Sequence, residues 1–311
     1  MSASLSHPVR RVLFRVLLAL VVCVTVASIA WLVLPSPRSP SPGNPLPSPN
    51  GYDDFVAAGQ SLAGGGFDSK TATVEQMRSY VSSNTAALSR LRVGLTRPAR
   101  VPIEFTTAYT SRRLPQLNAI KRLAGLLRAE GRVFEADQRI DDAVSSNLDA
   151  LRFSHESVRG GFLIDMLVGV ACEAMALGSL ERVLGALDAT QCRRAIQVVQ
   201  AVHRVREPTA GVLAREHAWS RRVWGWRGEL VRVLPSNAQA QRQAEQKATS
   251  KRDQVDRQRG AVLIKLAGRA FKLEAGKGPG RWEDLVPRYL EKIPKDPSTG
   301  QPLPLDLVAG E

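Results

Sequence analysis

Most of the chain after residue 52 places apolar residues at three- and four-residue intervals, which is the spacing of one face of an α-helix. We expect Thr71 to cap the first helix, and Pro98 and Pro102 to close it because Pro cannot continue a helix. The pattern predicts a mainly α fold, either a multi-helix bundle or an irregular helical array. The apolar positions of the first helix are Val74, Met77, Val81, Leu88 and Leu91.

The next two segments predict a helical hairpin. One helix covers about 106–129 and ends at Gly131, and the other covers about 133–152. The small residues Ala124, Gly131, Ala136 and Ala143 make the hairpin resemble one tetratricopeptide-type unit. A second copy is not evident, and a solenoid needs several stacked units, so we expect no solenoid. The inward positions of the first helix are Leu114, Leu117, Leu123 and Leu127.

Residues 161–187 are apolar nearly all the way round a helix, which is typical of a central buried helix. A second membrane span is the alternative. Asp165 and Glu173 disfavour it, because each would cost roughly 2.5–3.5 kcal/mol near a bilayer centre on insertion scales. The glycines that thin one side, where we expect a neighbouring helix to approach closely, are Gly161, Gly169 and Gly178.

The chain then turns at Asp188, Ala189 and Thr190 into a helix over about 191–206. In the resulting antiparallel hairpin, Cys172 and Cys192 would lie roughly 20 Å apart, given a rise of about 1.5 Å per residue. We therefore expect two buried thiols and no disulfide between them.

Pro208 suits the first turn of a further helix. We interpret its Trp-rich stripe as core, and a surface that grips glycan or membrane is the alternative. Residues 236–260 have no large apolar residue except Val255, which predicts an exposed helix arm or a mobile loop. The stripe consists of Val212, Trp219, Val223, Trp226 and Leu230, and helical patterning resumes with Val262, Leu263, Leu266 and Phe271.

The N-terminal pattern differs from the rest. Residues 16–34 contain no charge, and 19 helical residues are just long enough to span a bilayer core of roughly 30 Å. Positive flanks stay in the cytoplasm, and Arg10, Arg11 and Arg15 precede the run. We expect an uncleaved signal-anchor helix; a signal peptide cleaved after Ala30 is the alternative.

The expected organisation follows from this anchor. Residues 1–15 form a cytoplasmic basic N-terminus, and the Pro/Ser-rich linker over 35–51 is an extended spacer because repeated Pro fixes φ and removes donors. A helical ectodomain over 52–278 and a Pro/Gly-rich tail over 279–311 follow outside the cytoplasm.

Composition adds a basic charge to this picture. The 311 residues include 43 Lys and Arg against 29 Asp and Glu, a formal net charge of +14. Residues 201–260 contribute 13 basic and six acidic residues, which would suit a polyanion. Outside the cytoplasm, anionic lipid or cell-wall polymer is more accessible there than nucleic acid, which we do not expect as a partner. Three Cys exclude a disulfide framework.

No spacing in the sequence singles out a catalytic site. There is no GxSxG, HExxH, paired CxxC or phosphate-binding glycine loop, so we predict no catalytic residue, cofactor or metal. The His–acid pairs are His155–Glu156 and Glu216–His217. They would bind a metal if they converged across helices, whereas we interpret them as helix-capping and surface residues.

Residues 279–304 contain a row of apolar residues that prolines and turn-forming residues interrupt. This segment resembles the C-terminal segment of major pseudopilins of type II secretion, in which a short helix precedes an acid-Pro-Gly-Pro turn leading into a sheet. The chain departs from that family at residues 8–34, which have no prepilin-peptidase Gly and no Glu in the apolar run, and in its helical middle. The matching positions are Leu285, Leu290, Pro294, Asp296, Pro297, Gly300 and Pro302.

The whole layout is similar to a group of uncharacterised bacterial proteins with an N-terminal anchor, a helical ectodomain and this tail. The resemblance implies architecture rather than activity, and it places the chain in the bacterial inner membrane as a single-pass protein with its ectodomain in the periplasm. The matching stretches are Tyr52–Phe55, Arg159–Asp165, Val168–Ala171 and Arg206–Pro208.

Charged residues in these stretches predict a buried ionic cluster. Because an isolated buried charge is costly, we expect Arg159 and Asp165 to pair with Arg206 or Glu207. The candidate members are Arg159, Asp165, Glu173, Arg206 and Glu207.

The sequence thus favours a non-enzymatic interaction or scaffold module with a protein partner in the cell envelope. One alternative is a component of a pseudopilus-like secretion system. Another is a helical envelope enzyme, which requires Asp165, Glu173, Glu216 and His217 to converge on an open cleft.

Overall fold

A computed structural model of the chain describes residues 20–25, 45–64, 67–68, 71–233 and 235–308, and the side chains of all of these except 226–238 and 307–308. Helices dominate this part of the chain, and within it the only pairing of β type is one isolated antiparallel bridge between Lys295 and Pro302. The prediction of a mainly α fold is confirmed.

The helices pack around one continuous apolar core, to which every helix contributes except the six residues 20–25. Short 3-10 turns lie over Leu184–Ala186, Trp282–Asp284 and Leu305–Val308. The helices are α1 (Gly51–Gln60), α2 (Val74–Ser82), α3 (Thr85–Leu95), α4 (Tyr109–Ala136), α5 (Ile140–Glu156), α6 (Leu163–Val183), α7 (Ala189–Arg204), α8 (Thr209–Val233) and α9 (Pro235–Ala275).

The folded unit begins at Asn50. Its side-chain Oδ1 accepts from the Tyr52 N–H at 3.2 Å, which caps α1, and its Nδ2 donates to the Arg100 carbonyl at 2.8 Å. Residues 20–25 are helical, and all six are exposed. The rest of the predicted span 16–34, the N-terminus 1–15 and most of the Pro-rich stretch lie outside the described residues.

The first predicted helix is two helices. Thr73 rather than Thr71 caps α2, through a capping box with Gln76. The chain breaks at Asn84, whose buried side chain accepts from the Ala63 N–H at 2.8 Å and donates to the Tyr80 carbonyl at 2.8 Å. The buried amide of Asn84 thus joins the end of α2 to the segment that follows α1, and side-chain bonds of this kind compete with continuation of a helix.

The α4–α5 hairpin forms, but its turn lies later than expected. Gly131 is inside α4, and the chain reverses around Gln138, which adopts a left-handed φ of 61°. The absence of a side chain at Gly131 serves packing instead, because a Cβ there would lie 2.7 Å from Asn147 Oδ1 of α5. Three of the four predicted inward leucines of α4 are buried, whereas Leu114 is exposed.

Helix α6 lies at the centre of the fold, in contact with α4, α5, α8 and α9. Together with the following 3-10 turn, Leu163–Ala186 is long and apolar enough to cross a membrane, but 61% of its most apolar window is buried inside the protein. It is thus a mainly buried core helix. Its burial is incomplete, however, since Ile164 and Leu167 remain 42% and 36% exposed.

The three glycines of this segment have different surroundings. A Cβ at Gly169 would lie 2.6 Å from Val158 Cγ2 and 2.8 Å from the Ser154 carbonyl, so α5 approaches closely there. At Gly161 the crowding comes from the Asp165 side chain. At Gly178 the nearest atom lies 3.8 Å away, so no neighbouring helix closes on that position.

Asp188 caps α7 as expected, through a capping box with Gln191. Cys172 and Cys192 are both buried and are not joined by a disulfide. Burial raises the pKa of the Cys172 thiol to about 12, so this thiol is protonated at neutral pH.

Helix α8 starts directly after Pro208 and is interrupted at Gly225, where φ is 58°. Of its predicted core stripe, Val212 is buried, and Trp219 packs against Tyr109 and Phe162. The side chains of Trp226 and Leu230 lie outside the described part of the chain, and Trp224, which the stripe does not include, is 50% exposed.

The polar stretch 236–260 is helical, being the first half of the 41-residue α9, and not a mobile loop. Contacts of Arg252 with Met166, of Gln258 with Ala174 and of Lys265 with Glu181 show that α9 runs parallel to α6.

The C-terminal tail packs onto the same core. Leu285 and Leu290 are fully buried within it. Asp296 makes the predicted turn, accepting from the Ser298 N–H at 2.8 Å, and it binds Arg257 of α9. The pseudopilin resemblance implies a short helix and a sheet, whereas the described tail has a 3-10 turn over Trp282–Asp284 and the single bridge.

Two alanine substitutions in α6 test this packing. Alanine is better than glycine in a helix interior by about 0.5–1 kcal/mol, but overpacking a core costs about 1–3 kcal/mol. We expect Gly169→Ala to lower the free energy of unfolding by about 1–2 kcal/mol, and Gly178→Ala to leave it unchanged or raise it slightly. Chemical denaturation of the full chain measures both, and equal effects would contradict the assigned packing of α6.

Candidate functional site

A buried carboxylate stands at the middle of the apolar helix α6. Glu173 is 1% exposed. Its Oε1 lies 3.0 Å from Arg259 Nη1 of α9, and its Oε2 lies 3.1 Å from Arg206 Nη2 in the α7–α8 loop and 3.4 Å from His155 Nε2 of α5. One acid therefore connects four parts of the fold.

The protonation state of Glu173 follows from these partners. Burial disfavours its charged form, but the neighbouring His155 ring and the charges of Arg206 and Arg259 outweigh burial and lower its pKa well below the usual range. Asp256 of α9 extends the cluster, since it binds Arg206 and lies 2.8 Å from Arg259 Nη1. Glu173 is therefore ionised at neutral pH and paired within the cluster.

A second buried pair holds the start of α6. Asp165 is fully buried, and its Oδ2 accepts from the Phe162 N–H at 2.8 Å, as a helix N-terminus favours. Its Oδ1 accepts from Arg113 Nε of α4 at 2.7 Å, and Arg113 is itself 3% exposed. Asp165 therefore caps α6 and joins it to α4.

The remaining predicted members of the buried ionic cluster pair with residues outside it. Arg159 donates to Glu156 at 3.0 Å near the surface, and Glu207 binds Arg215. The expected lock of Arg159 and Asp165 with Arg206 or Glu207 is therefore wrong. Asp165 faces α4, where Arg113 satisfies it, and of the five candidates only Glu173 and Arg206 pair with each other.

The two His–acid pairs do not converge. Glu216 accepts from the Leu163 N–H at 3.0 Å, whereas His217 contacts Gln241 and Glu245 of α9. Across the described ranges, no group of three or more His, Cys, Asp or Glu is placed to hold a metal. Asp165 is closed off by Arg113, and the small cavity that Glu173 lines includes neither Glu216 nor His217, so the four residues of the enzyme alternative do not converge on one cleft.

Sequence reasoning missed the arginines that satisfy the buried acids. Arg113 belongs to the apolar stripe of α4 that continues with Leu117 and Ile120, and Arg259 belongs to the stripe of α9 with Val255 and Val262. A basic residue at a position where the helical spacing predicts an apolar one is the signal that could have identified both arginines.

An open groove lies beside the buried cluster, between α6 and α9. Its apolar floor is an exposed or half-buried stripe of α6, and α9 forms the other wall. Its volume is about 720 Å³. The lining residues on which the argument depends are Leu167, Ala171, Met175 and Gly178 of α6, Lys251 and Gln258 of α9, and Arg128 of α4.

The groove carries cations and no lining acid. Its lining includes Arg128, Arg182 and Lys251, of which Arg182 pairs with Glu135. Burial and the charges of Arg182 and Arg132 lower the pKa of Arg128, whose Nε is buried without a hydrogen-bond partner. The Ser179 Oγ in the groove wall is also buried and unpartnered. The groove thus combines positive charge with an apolar floor, and two unpartnered polar atoms lie buried in its walls.

Neutralising Glu173 tests the buried cluster. We expect Glu173→Gln to lower the free energy of unfolding by up to about 3–5 kcal/mol, because the buried Arg206 and Arg259 would keep only Asp256 as a counter-charge between them. Glu156→Gln removes a surface acid of the same type and should cost less than about 1 kcal/mol. Denaturant unfolding of the full chain measures both, and similar small losses would exclude a structural role for the cluster.

The lowered pKa of Glu173 predicts that the stability of the folded chain depends on pH. Its folded-state pKa is lowered, so its stabilising effect is present above the unfolded pKa of about 4.3 and is lost as the pH falls below that value. Below about pH 4 the parent chain should lose stability faster than Glu173→Gln, by up to about 1.4 kcal/mol per pH unit. Parallel pH profiles of the two chains would contradict this.

No protein-family model, no curated protein and no solved structure matches this chain significantly. Its function must therefore be argued from the geometry of the groove and the buried cluster.

Proposed function

We propose that this chain is a non-enzymatic interaction module of the cell envelope that binds an acidic, amphipathic helix of a protein partner in the groove between α6 and α9. The observation that carries the proposal is the uncovered apolar stripe of α6, bordered by Arg128, Arg182 and Lys251. Interfaces commonly combine an apolar centre with a polar rim.

The shape of the groove favours a helix as the occupant. The uncovered positions Ile164, Leu167, Ala171 and Gly178 follow helical spacing over roughly 21 Å of α6, at about 1.5 Å per residue. Ala171 and Gly178 are small, so the backbone of a second helix can approach closely. An amphipathic helix that lies in an apolar groove anchors through side chains three and four residues apart.

Charge favours an acidic partner over a second copy of this chain. Lys251 lies at the α6 N-terminal end of the groove, and Arg128 and Arg182 lie towards the other end. Two copies packed through this face would bring unbalanced cations together, which is costly. Carboxylates on a partner helix would instead meet these cations.

The proposal includes a location. Residues 16–34 would anchor the chain in the bacterial inner membrane, and the Pro-rich spacer would hold the helical unit away from the bilayer on the periplasmic side. An anchored scaffold that holds one envelope protein near the membrane fits this arrangement. It requires no cofactor.

The basic stretch 201–260 supports a polyanion partner less well than the groove supports a protein partner. Several of its arginines are engaged within the chain and so contribute little free positive charge to the surface. The arginines of this stretch that bind carboxylates of the chain itself are Arg204, Arg206, Arg215, Arg257 and Arg259. Anionic lipid or cell-wall polymer would therefore be a secondary partner, and nucleic acid is not proposed.

The tail also supports the scaffold more than a role in a pseudopilus-like system. Leu290 and Leu303 are buried, and Asp296 is bound to Arg257 of α9. Because these side chains are already buried or paired within the fold, few groups of the tail remain to form a sheet shared with another subunit. The secretion alternative would regain support if deletion of the prepilin peptidase changed the processing or location of the chain.

Site-specific crosslinking tests the proposal. A photo-crosslinking residue replaces Leu167 in the groove in one variant and Leu114 of α4 in another, both being exposed leucines on helices. In intact membranes we expect a discrete protein adduct from position 167 and none from position 114. Mass spectrometry of the adduct should locate the crosslink in a helix with several Asp or Glu residues.

A charge reversal provides the matched control. Lys251→Glu should reduce the yield of the adduct at least tenfold through like-charge repulsion, and Lys277→Glu, outside the groove, should leave it unchanged. A lipid adduct at position 167, a self-adduct of this chain, or equal yields from the two leucine positions would contradict the proposed partner.

A further inference from the structure

A second cavity, separate from the groove, adjoins the Glu173 cluster on the other face of α6. It has a volume of about 50 Å³ and lies where α5, α6, the α7–α8 loop and α9 meet. Most of its surface is apolar and comes from residues such as Val158, Phe162 and Val212. The polar part consists of His155, Arg206 and Arg252, with the carboxylates of Glu173 and Glu207.

Two polar groups of this cavity differ in what they face. His155 Nε2 is buried and faces the Glu173 carboxylate, whose Oε2 lies 3.4 Å away, so it is not available to a ligand. Arg252 donates to the Thr209 hydroxyl at 2.9 Å and the Glu207 carbonyl at 2.7 Å. Among the described residues, however, no carboxylate lies within ion-pair distance of Arg252. Burial and the neighbouring charge of Arg206 lower the pKa of Arg252, although Asp256 and Glu173 act in the opposite direction.

The charges around the cavity do not balance. The lining carries three arginines, Arg159, Arg206 and Arg252, and two carboxylates, Glu173 and Glu207, which leaves one positive charge in excess. Arg206 and Arg259 are matched by Glu173 and Asp256, and the two outer pairs are closed, so the surplus lies at Arg252. The closed outer pairs are Arg159–Glu156 and Arg215–Glu207.

We propose that this cavity binds a short aliphatic monocarboxylate, such as acetate, with its carboxylate held by Arg252. A single negative charge balances the surplus, whereas a dianion such as phosphate would exceed it. A volume of about 50 Å³ admits a ligand of a few heavy atoms, and the valine and phenylalanine walls suit a short alkyl group. Arginine is the side chain best suited to binding a carboxylate.

Saturation-transfer NMR on the full chain in detergent micelles tests this, with acetate as the probe at pH 7 and fixed ionic strength. We expect saturable binding with a dissociation constant of about 1 mM, as befits a ligand of four heavy atoms. Arg252→Met should weaken binding at least tenfold. Arg257→Met, on the same helix but paired with Asp296 outside the cavity, should leave the affinity unchanged.

A second variant keeps every charge in place. Val205 lines the cavity and is 53% exposed, so Val205→Phe should occupy the space without unfolding the chain, and binding should be lost while circular dichroism stays unchanged. The proposal would be overturned by absence of saturable binding, by undiminished binding in Arg252→Met or Val205→Phe, or by displacement of acetate by equimolar chloride. None of these results depends on whether the groove binds a protein helix.

Discussion

The fold depends on how one carboxylate in an apolar helix is satisfied. An ionised Glu173 at the centre of α6 would be prohibitively costly alone, so the chain must bring cations to it. Those cations come from the α7–α8 loop and from α9, and a histidine approaches from α5. Because ion pairs in the interior need close contact, this requirement fixes where each of these segments lies against α6.

The register of α9 follows from that constraint. Arg259 must meet Glu173, and the helix then runs parallel to α6, with contacts between Gln258 and Ala174 and between Lys265 and Glu181. A long helix held along one side of α6 cannot also cover the side that carries Leu167 and Gly178. The groove is therefore a geometric consequence of the ionic cluster, and it explains why α6 is apolar nearly all round although only part of it is buried.

The helical fold could be predicted from the sequence because the spacing of apolar residues is a local signal. The central position of α6, the cap at Asp188 and the burial of Leu123 all follow from such signals. The end of α4 could not be predicted, since Gly131 stops a helix in isolation but here admits Asn147 of α5. Local rules fail where a distant segment supplies the contact that decides the outcome.

The candidate site was predictable only in part, for the same reason. Burial cost indicates that Asp165 and Glu173 need cations, but it does not say which ones, and Arg113 and Arg259 lie 52 and 86 residues away in the chain. The buried arginines differ in whether a carboxylate of the chain pairs with them. The Asp165–Arg113 pair is closed and complete, whereas Arg128 Nε is buried without a hydrogen bond and Arg252 has no carboxylate partner in the described part of the chain. Buried polar groups are normally satisfied, so such remainders mark the places where a ligand or partner should complete the structure.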